Sequence, residues 1–419
     1  MIDRRAALAV AVAVAVGAAC GGAKDADAAR YAGPFAEQVN RYMPRIERST
    51  GLRFKRAPRV EVRTKAQVQQ FLEREFNVSR AAREIAGQEA AYKRLGLLPD
   101  TMNFRAFLSS LLAEQIVGFY DPKEKMLHVV QGIPDEAVGI TLAHELVHAL
   151  QDQYLNLDSL KNLDSDNDRA MAIAAVTEGQ ATYEQIAVLA PAGNTGLLWD
   201  RARDEIRSSR GTMPVLSSAP LILQESLIFP YLSGADFVRR FKEERPGTQP
   251  FDPMPASSEQ IMHVNAYLRA ADAPTTIALP ALTGATLYAN GLGEFETRVF
   301  LFAHLRDEGS AVRAAGGWDG DRYALVDTPR GEGLVWLSVW DSAVDAGEFY
   351  QAVSQTAVRR YAARTMGDSA EARRIMKGSG RTILVTAREL QGRPVVLYVD
   401  VPDGASTDLL DLSRVTLRQ

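Results

Sequence analysis

The sequence predicts an α+β fold, a larger and mainly helical part followed by a smaller α+β part. Three features predict it. From Pro34 to about residue 273 most apolar residues recur at helical spacing, whereas residues 274–419 carry four runs that read as strands: "RYALVDT", "GLVWLSVWD", "RTILVTARE" and "RPVVLYVDV". A helical pattern, "AVDAGEFYQAVSQTAVRRYAA", stands between the second and third runs. The proline-rich "GTQPFDPMPASSEQ" and then "APTTIALPAL" separate the two regimes and place a domain boundary near residue 274. With 419 residues, 46% apolar and 24% charged, the chain is long enough for two domains with ordinary cores.

The first residues, "MIDRRAALAVAVAVAVGAAC", run from basic to apolar to small, the three-part plan of an export signal over residues 1–19. The apolar run Ala6–Ala19 has 14 residues. At ~1.5 Å per residue it spans roughly 21 Å, short of a ~30 Å hydrocarbon core, so a transmembrane anchor is the poorer reading. The only cysteine, Cys20, ends that run. This resembles a bacterial lipoprotein signal, with Cys20 lipidated and tethered to the membrane through the small and polar residues 20–33; it departs from that pattern in having Gly17 where Leu is usual. The alternative is soluble export with cleavage after Ala26–Asp27–Ala28. A single cysteine excludes a disulfide within the chain. A formal charge of −4 with no basic run argues against a nucleic-acid partner.

From Pro34 to about Gly96 the pattern is helical, opening with "FAEQVNRYMPRIERSTG" and broken by one strand, "RVEVRT". "EQIVGFY" and "KMLHVV" flank the turn former "DPKE" and predict a β-hairpin. Either strand would offer an edge to an extended peptide, unless the two are internal to a sheet. A helix from about Pro134 to Tyr154 comes next. The Asp- and Asn-rich "NLDSLKNLDSDND" loop then leads to the helix "RAMAIAAVTEGQATYEQIAVLA", and further helices include "GADFVRRFKEE".

The helix from Pro134 carries the chemistry, in "AHELVHALQDQ" (residues 143–153). His144 and His148 lie about 40° apart on one face, with Gln151 and Asp152, while Leu142, Leu146, Ala149 and Gln153 face the core. Two imidazoles at this spacing suit one tetrahedral Zn²⁺ at ~2.0–2.1 Å each. Glu145, about 100° round, is placed to act as a base on water at the metal. Chance would produce H-E-x-x-H on the order of 0.004 times in a chain of this composition. A third ligand is needed, and Glu178 in "TEGQAT" is the leading candidate, with 29 residues between it and His148. Its mostly small helical neighbours (Met171, Ala174, Ala175, Ala181, Thr182) and Gly179 favour a close approach to the motif helix. Asp168, His128 and His263 compete. Asp168 reads more simply as an N-terminal helix residue, and His128 as the exposed side of a hairpin strand. Asp152, four residues after His148, is a candidate to accept from the non-ligating nitrogen of that histidine.

"HELVH" followed by a helix with "EGQA" resembles the gluzincins, zinc peptidases with two histidines and a glutamate on the metal. The resemblance implies a zincin-like catalytic domain over residues 34–273, ligands His144, His148 and Glu178, Glu145 as general base and later proton donor, and a peptide or protein substrate. The spacing to Glu178 is longer than in the best-known members, with the excess assigned to the "DSDND" loop. "GFYDP", "HELVHALQDQ", "TEGQAT", "SSEQIMH" and "GWDGDRYAL", in this order, resemble a poorly characterised family of exported prokaryotic metallopeptidase-like lipoproteins. Such a hydrolase needs a donor for a tetrahedral oxyanion; His263, Tyr267, Tyr183 and the Arg322–Tyr323 pair are candidates, the last carried by a glycine-rich "GGWDGDR" loop able to reach over a cleft. The alternative is a zinc-binding envelope lipoprotein without proteolytic activity, serving as a binding or scaffold module.

Overall fold

The computed structural model describes residues 31–418 except 77, 161–165, 191–194, 209–210, 212, 271 and 367–371. The expected signal peptide, Cys20 and most of the tether fall outside the described residues. In order come α1 (Ala36–Thr50), β1 (Val60–Arg63), α2 (Lys65–Phe76), α3 (Ser79–Arg94), α4 (Phe104–Gln115), β2 (Gly118–Asp121) and β3 (Met126–Val130). The motif helix is α5 (Asp135–Leu155), followed by α6 (Leu157–Leu160), α7 (Asn167–Leu189), α8 (Thr195–Ser208), α9 (Pro214–Ser217), α10 (Leu221–Glu244) and α11 (Ser258–Met262). No described helix is long and apolar enough to cross a membrane.

The expected hairpin is present but shorter at its start. The Asn103 side chain caps α4 by accepting from the Ala106 N–H at 2.9 Å, and the helix runs through Gln115, so only the second half of "EQIVGFY" is extended. β1 joins β3 in parallel, giving the order β1-β3-β2. β3 is therefore the central strand and β2 an edge. His128, expected on an exposed face, is fully buried: its ring lies 4.8 Å from that of Phe119, which is itself covered by Phe71 of α2 at 5.0 Å.

Helix α5 is buried from Val138 to Asp152. Its Leu142, Leu146, Val147 and Ala149 pack with Val39 and Ile46 of α1 and with Leu127 and Val129 of β3. Gln153 leaves the expected core stripe to hydrogen-bond both the N–H and the C=O of Arg56. The opposite face of α5 meets α7. The close approach that Gly179 permits is not to α5, however, but to α10. A Cβ on Gly179 would stand 2.2 Å from the Gly234 carbonyl carbon, and one on Gly234 would stand 2.1 Å from the Ala175 oxygen. Backbone meets backbone there, so neither helix can give way cheaply.

The C-terminal region is rich in strands. β5 (Ala285–Asn290), α12 (Gly293–Leu305), α13 (Glu308–Ala315), β6 (Trp318–Thr328) and β7 (Gly331–Trp340) follow the short β4 (Thr276–Ala278). Then come α14 (Ala343–Tyr361), β8 (Arg364–Thr365), β9 (Arg373–Gly378), β10 (Arg381–Leu390), β11 (Arg393–Pro402) and β12 (Thr416–Arg418). Seven strands form one antiparallel sheet in the order β5-β6-β7-β11-β10-β9-β8, and β12 pairs with β4. The four runs read from the sequence are β6, β7, β10 and β11, the sheet's centre, where both faces are covered and the residues are correspondingly apolar. Helices α12–α14 cover one face; Ile277, Leu409 and Val415 pack on the other.

The helical part and the β-rich region share one core. Phe229 of α10 stacks on Phe295 of α12 at 4.1 Å, and Phe104 and Tyr92 belong to the same cluster as Phe300, Trp336 and Phe349. Polar contacts cross the same junction: Tyr92 Oη donates to Glu296 at 2.7 Å, and His304 Nε2 donates to the Leu95 carbonyl at 2.9 Å.

Two outcomes follow. Burial, then Arg360 and Arg306, lower the His304 pKa from 6.5 to about 4. Below pH 6.5 the unfolded chain binds a proton that the folded chain refuses until about pH 4, so stability falls across this window by about 3 kcal/mol. His304→Gln, which keeps an N–H donor, should flatten that part of the profile; urea titrations at pH 7 and pH 4.5 read the difference. Gly179→Ala should lower stability by about 1–3 kcal/mol, because the new methyl meets backbone. An unchanged urea midpoint would contradict the close crossing.

Candidate metal centre

Three side chains meet between α5 and α7. His144 Nε2 and His148 Nε2 are 3.2 Å apart, and Glu178 Oε2 lies 3.2 Å from the first and 3.3 Å from the second. Ligand atoms around a tetrahedral ion at ~2.0–2.1 Å stand roughly 3.3 Å from one another, so this triangle has the size of one face of such a site. The helical period brings the histidines together. Glu178 arrives from α7, whose N-terminus is held by the Asp166 side chain accepting from Arg169 N–H at 3.0 Å and by Asn290 Oδ1 accepting from Asn167 N–H at 2.8 Å.

The outer nitrogens decide what the inner ones present. His148 Nδ1 is 2.9 Å from Gln151 Oε1. The Gln151 amide cannot be turned round, because its nitrogen donates to the Thr177 carbonyl and to Gln180 Oε1, both at 3.0 Å. Gln180 in turn donates to Gln249 Oε1 at 3.3 Å, and Gln249 to the Thr50 carbonyl at 2.9 Å. This amide chain makes Gln151 Oε1 an acceptor, so His148 Nδ1 carries the proton and Nε2 offers its lone pair. His144 Nδ1 faces Gln185 Oε1 at 3.0 Å in the same sense. With both imidazoles neutral, two lone pairs and a carboxylate oxygen converge with no donor between them. Such a set fits a cation with imidazole and carboxylate ligands.

Asp152 does not hold His148. Gln151, one residue earlier, does. Asp152 accepts instead from Tyr120 Oη at 2.8 Å, from Lys125 Nζ at 2.8 Å and from the Leu157 N–H at 2.9 Å, tying α5 to the β2–β3 hairpin. Glu145 is 0% exposed, and neither of its oxygens completes a hydrogen bond among the described residues. Burial pushes its pKa up to about 7, against the pull of the two histidines; the Tyr120 backbone N–H also restrains the rise. That N–H points away from β3, since Val117/Val130 form a hydrogen-bonded pair and Tyr120 falls in the alternate register. Burial opposes charge on His148 and on Glu178 alike, yet each stabilises the other: the Glu178 carboxylate lies well below the usual range, and His148 is pushed up to about 9.

The remaining candidates are placed elsewhere. Asp168 lies in the first turn of α7, as expected of a helix-start residue, and accepts from the Ser258 N–H at 3.0 Å; it is outside the His144 group. His263 pairs with Glu294 at 2.9 Å. Tyr267 donates to the Pro253 carbonyl at 2.6 Å, and the Tyr183 ring lies 5.0 Å from Lys242 Nζ. Tyr323 is buried in the sheet, and "GGWDGDR" is no overhanging loop but the start of β6. There Asp321 accepts from the Leu292 and Gly293 N–H groups and from the Trp318 and Trp336 indoles. Sequence reasoning missed Gln185 and Tyr231. The Tyr231 ring, from α10, stands 6.2 Å from that of His144. No short-range pattern marks either residue, since both reach the centre through helix packing.

Residues 284–411, the β-rich region, are similar to a protein family described as a domain of unknown function (DUF8575). No curated protein and no solved structure matches the chain.

Proposed function

We propose that the chain is a zinc-dependent metallohydrolase acting on peptide bonds, with the zincin-like arrangement of ligands that its motifs resemble. The observation that carries this reading is the convergence of two imidazole lone pairs and a carboxylate beside an unpartnered, buried Glu145. Zinc held by His144, His148 and Glu178 would supply a Lewis acid that activates water and polarises a carbonyl. Glu145, buried beside the Tyr120 N–H, would take the proton of the attacking water and pass it to the leaving amine. Gln151 and Gln185 fix the imidazole tautomers. β2, not β3, is the strand at the sheet's edge, and a peptide pairing with it would have to take the outward Tyr120 N–H from Glu145. Export and anchoring through Cys20 would place this activity in the cell envelope.

One observation favours a second reading, a zinc-binding protein without proteolysis. His144 is 1% exposed, Glu145 0%, and His148 and Glu178 6% each, a degree of enclosure typical of structural zinc. Activity separates the two. The purified chain should hold zinc at the centre. His148→Ala and Glu178→Ala should lose that zinc, while Asp168→Ala and Glu145→Gln keep it. Against a peptide library Glu145→Gln should fall by about 10²–10⁴-fold. Zinc retained in wild type with no cleavage of any peptide would leave the binding-module reading; a folded wild type without zinc would end both.

The amide chain gives a finer test. Gln151→Leu should weaken zinc binding about 10–100-fold in chelator competition, because His148 loses the partner of its outer nitrogen. Asp152→Asn should leave zinc affinity near wild type and lower the melting temperature instead. Equal affinity losses in the two variants would contradict the assignment.

A further inference from the structure

A second group of ligand-type side chains lies where the three-stranded sheet meets its own turn. His128 stands at its centre, 0% exposed. Its Nδ1 faces Glu61 Oε2 of β1 at 3.3 Å, and its Nε2 faces Glu124 Oε2 of the β2–β3 turn at 3.5 Å. Neither ring nitrogen completes a hydrogen bond among the described residues. A neutral imidazole has one N–H and one lone pair, so in either tautomer one nitrogen turns its lone pair toward a carboxylate.

Asp121, at the end of β2, brings a third carboxylate into the group. One of its oxygens accepts from the Lys123 and Glu124 N–H groups at 2.8 and 3.3 Å, which pins the turn around it. A nitrogen of His128 and carboxylate oxygens of Asp121 and Glu124 all lie within 4.8 Å of one another. The nearby cations do not balance the charge. Arg63 bridges Glu61 and Glu124 at 3.2 and 3.1 Å, while Lys123 pairs with Glu75 and Lys125 with Asp152, each at 2.8 Å. Arg59 also reaches the turn, but its Nη1 donates to the Glu124 carbonyl at 3.1 Å, so Arg63 is the guanidinium paired with the Glu61 and Glu124 carboxylates around the buried imidazole.

We propose that Asp121, Glu124 and His128 form a second divalent-metal site, independent of the His144 centre. A nitrogen ligand with carboxylates suits zinc or a neighbouring first-row ion over calcium or magnesium, which prefer oxygen alone. Glu124, about half exposed on the turn, is the ligand able to close on an ion entering from solvent. The ion would fasten the turn whose Lys125 grips Asp152 of α5, and so brace the hairpin beside Glu145.

The test is zinc stoichiometry by elemental analysis after chelator stripping, reloading with Zn²⁺ and exhaustive dialysis, with circular dichroism to establish folding. Wild type should hold two zinc ions per chain, and His148→Ala, Glu124→Ala and His128→Phe one each. His148→Ala should also gain melting temperature on zinc addition, and His148→Ala/Glu124→Ala should not. Glu124→Ala sits on the surface and spares the core; His128→Phe removes both nitrogens and keeps a ring beside Phe119. One ion kept in His148→Ala but lost in Glu124→Ala would uphold this site while removing the first. Wild-type stoichiometry of one, lost in His148→Ala and kept in Glu124→Ala and His128→Phe, would overturn it. So would two ions retained in both of those variants.

Discussion

Three electron-rich atoms held 3.2–3.3 Å apart out of water are the constraint on which the helical part depends. Burial strips away the solvent that would otherwise screen them, so the cluster is costly unless something positive sits among them. A proton on His148 is one remedy, and the mutual stabilisation of His148 and Glu178 shows how strongly the site attracts one. A metal ion is the other. Proton and metal would compete for the same electron pairs, which is why the tautomers matter: Gln151 and Gln185 accept from the outer nitrogens and would leave the inner ones to a metal.

The geometry is set by helix contacts rather than by the three ligands. The Gly179–Gly234 crossing presses α7 against α10 through backbone, leaving Glu178 little freedom along its axis. The amide chain from His148 through Gln151, Gln180 and Gln249 ends on the Thr50 carbonyl at the end of α1. Asp152 fixes the opposite flank of α5 to the hairpin. The amides of this frame are spoken for, whereas neither oxygen of the buried Glu145 completes a hydrogen bond among the described residues. An unsatisfied buried carboxylate is expensive, and the proposed role of Glu145 as a base would give it a reason to lack strong competing bonds.

How much of this could be read in advance depended on range. The i, i+4 pairing of His144 and His148 is a property of any helix, and the start of that helix was legible from Pro134. Glu178 was legible as a carboxylate on a helix with small neighbours, although the neighbour those residues admit turned out to be α10. The strong central strands β6, β7, β10 and β11 were visible because burial on both faces makes them apolar. Their partners β5 and β9 were not: "ATLYAN" leaves Leu287 55% exposed, and "RRIMKG" is charged. The burial of His128 has no local signature, because it comes from the parallel partner β1 and from Phe119 under Phe71 of α2. Helical spacing points to Asp152 and is silent on Gln151; the outcome lies with Tyr120 and Lys125, which claim the aspartate, and with Thr177, which orients the glutamine.

The change of composition near residue 274 marks a change of architecture, yet the two sides are not energetically separate. Asn290 of β5 accepts from the first N–H of α7, and Asp168 in the first turn of α7 lies so close to Gly293 that a Cβ there would meet its oxygen at 1.8 Å. Gly293, with φ of +72°, is the residue that allows both the turn into α12 and this contact. The helix that carries Glu178 thus begins against the β-rich region. The Phe229–Phe295 stack and the Tyr92–Glu296 bond extend the same junction into the core. Removing residues after 274 would expose that core and free the start of α7, so loss of hydrolysis in a truncated chain would not mark the β-rich region as the working module. Only point changes in the intact chain separate a scaffold from a catalyst here.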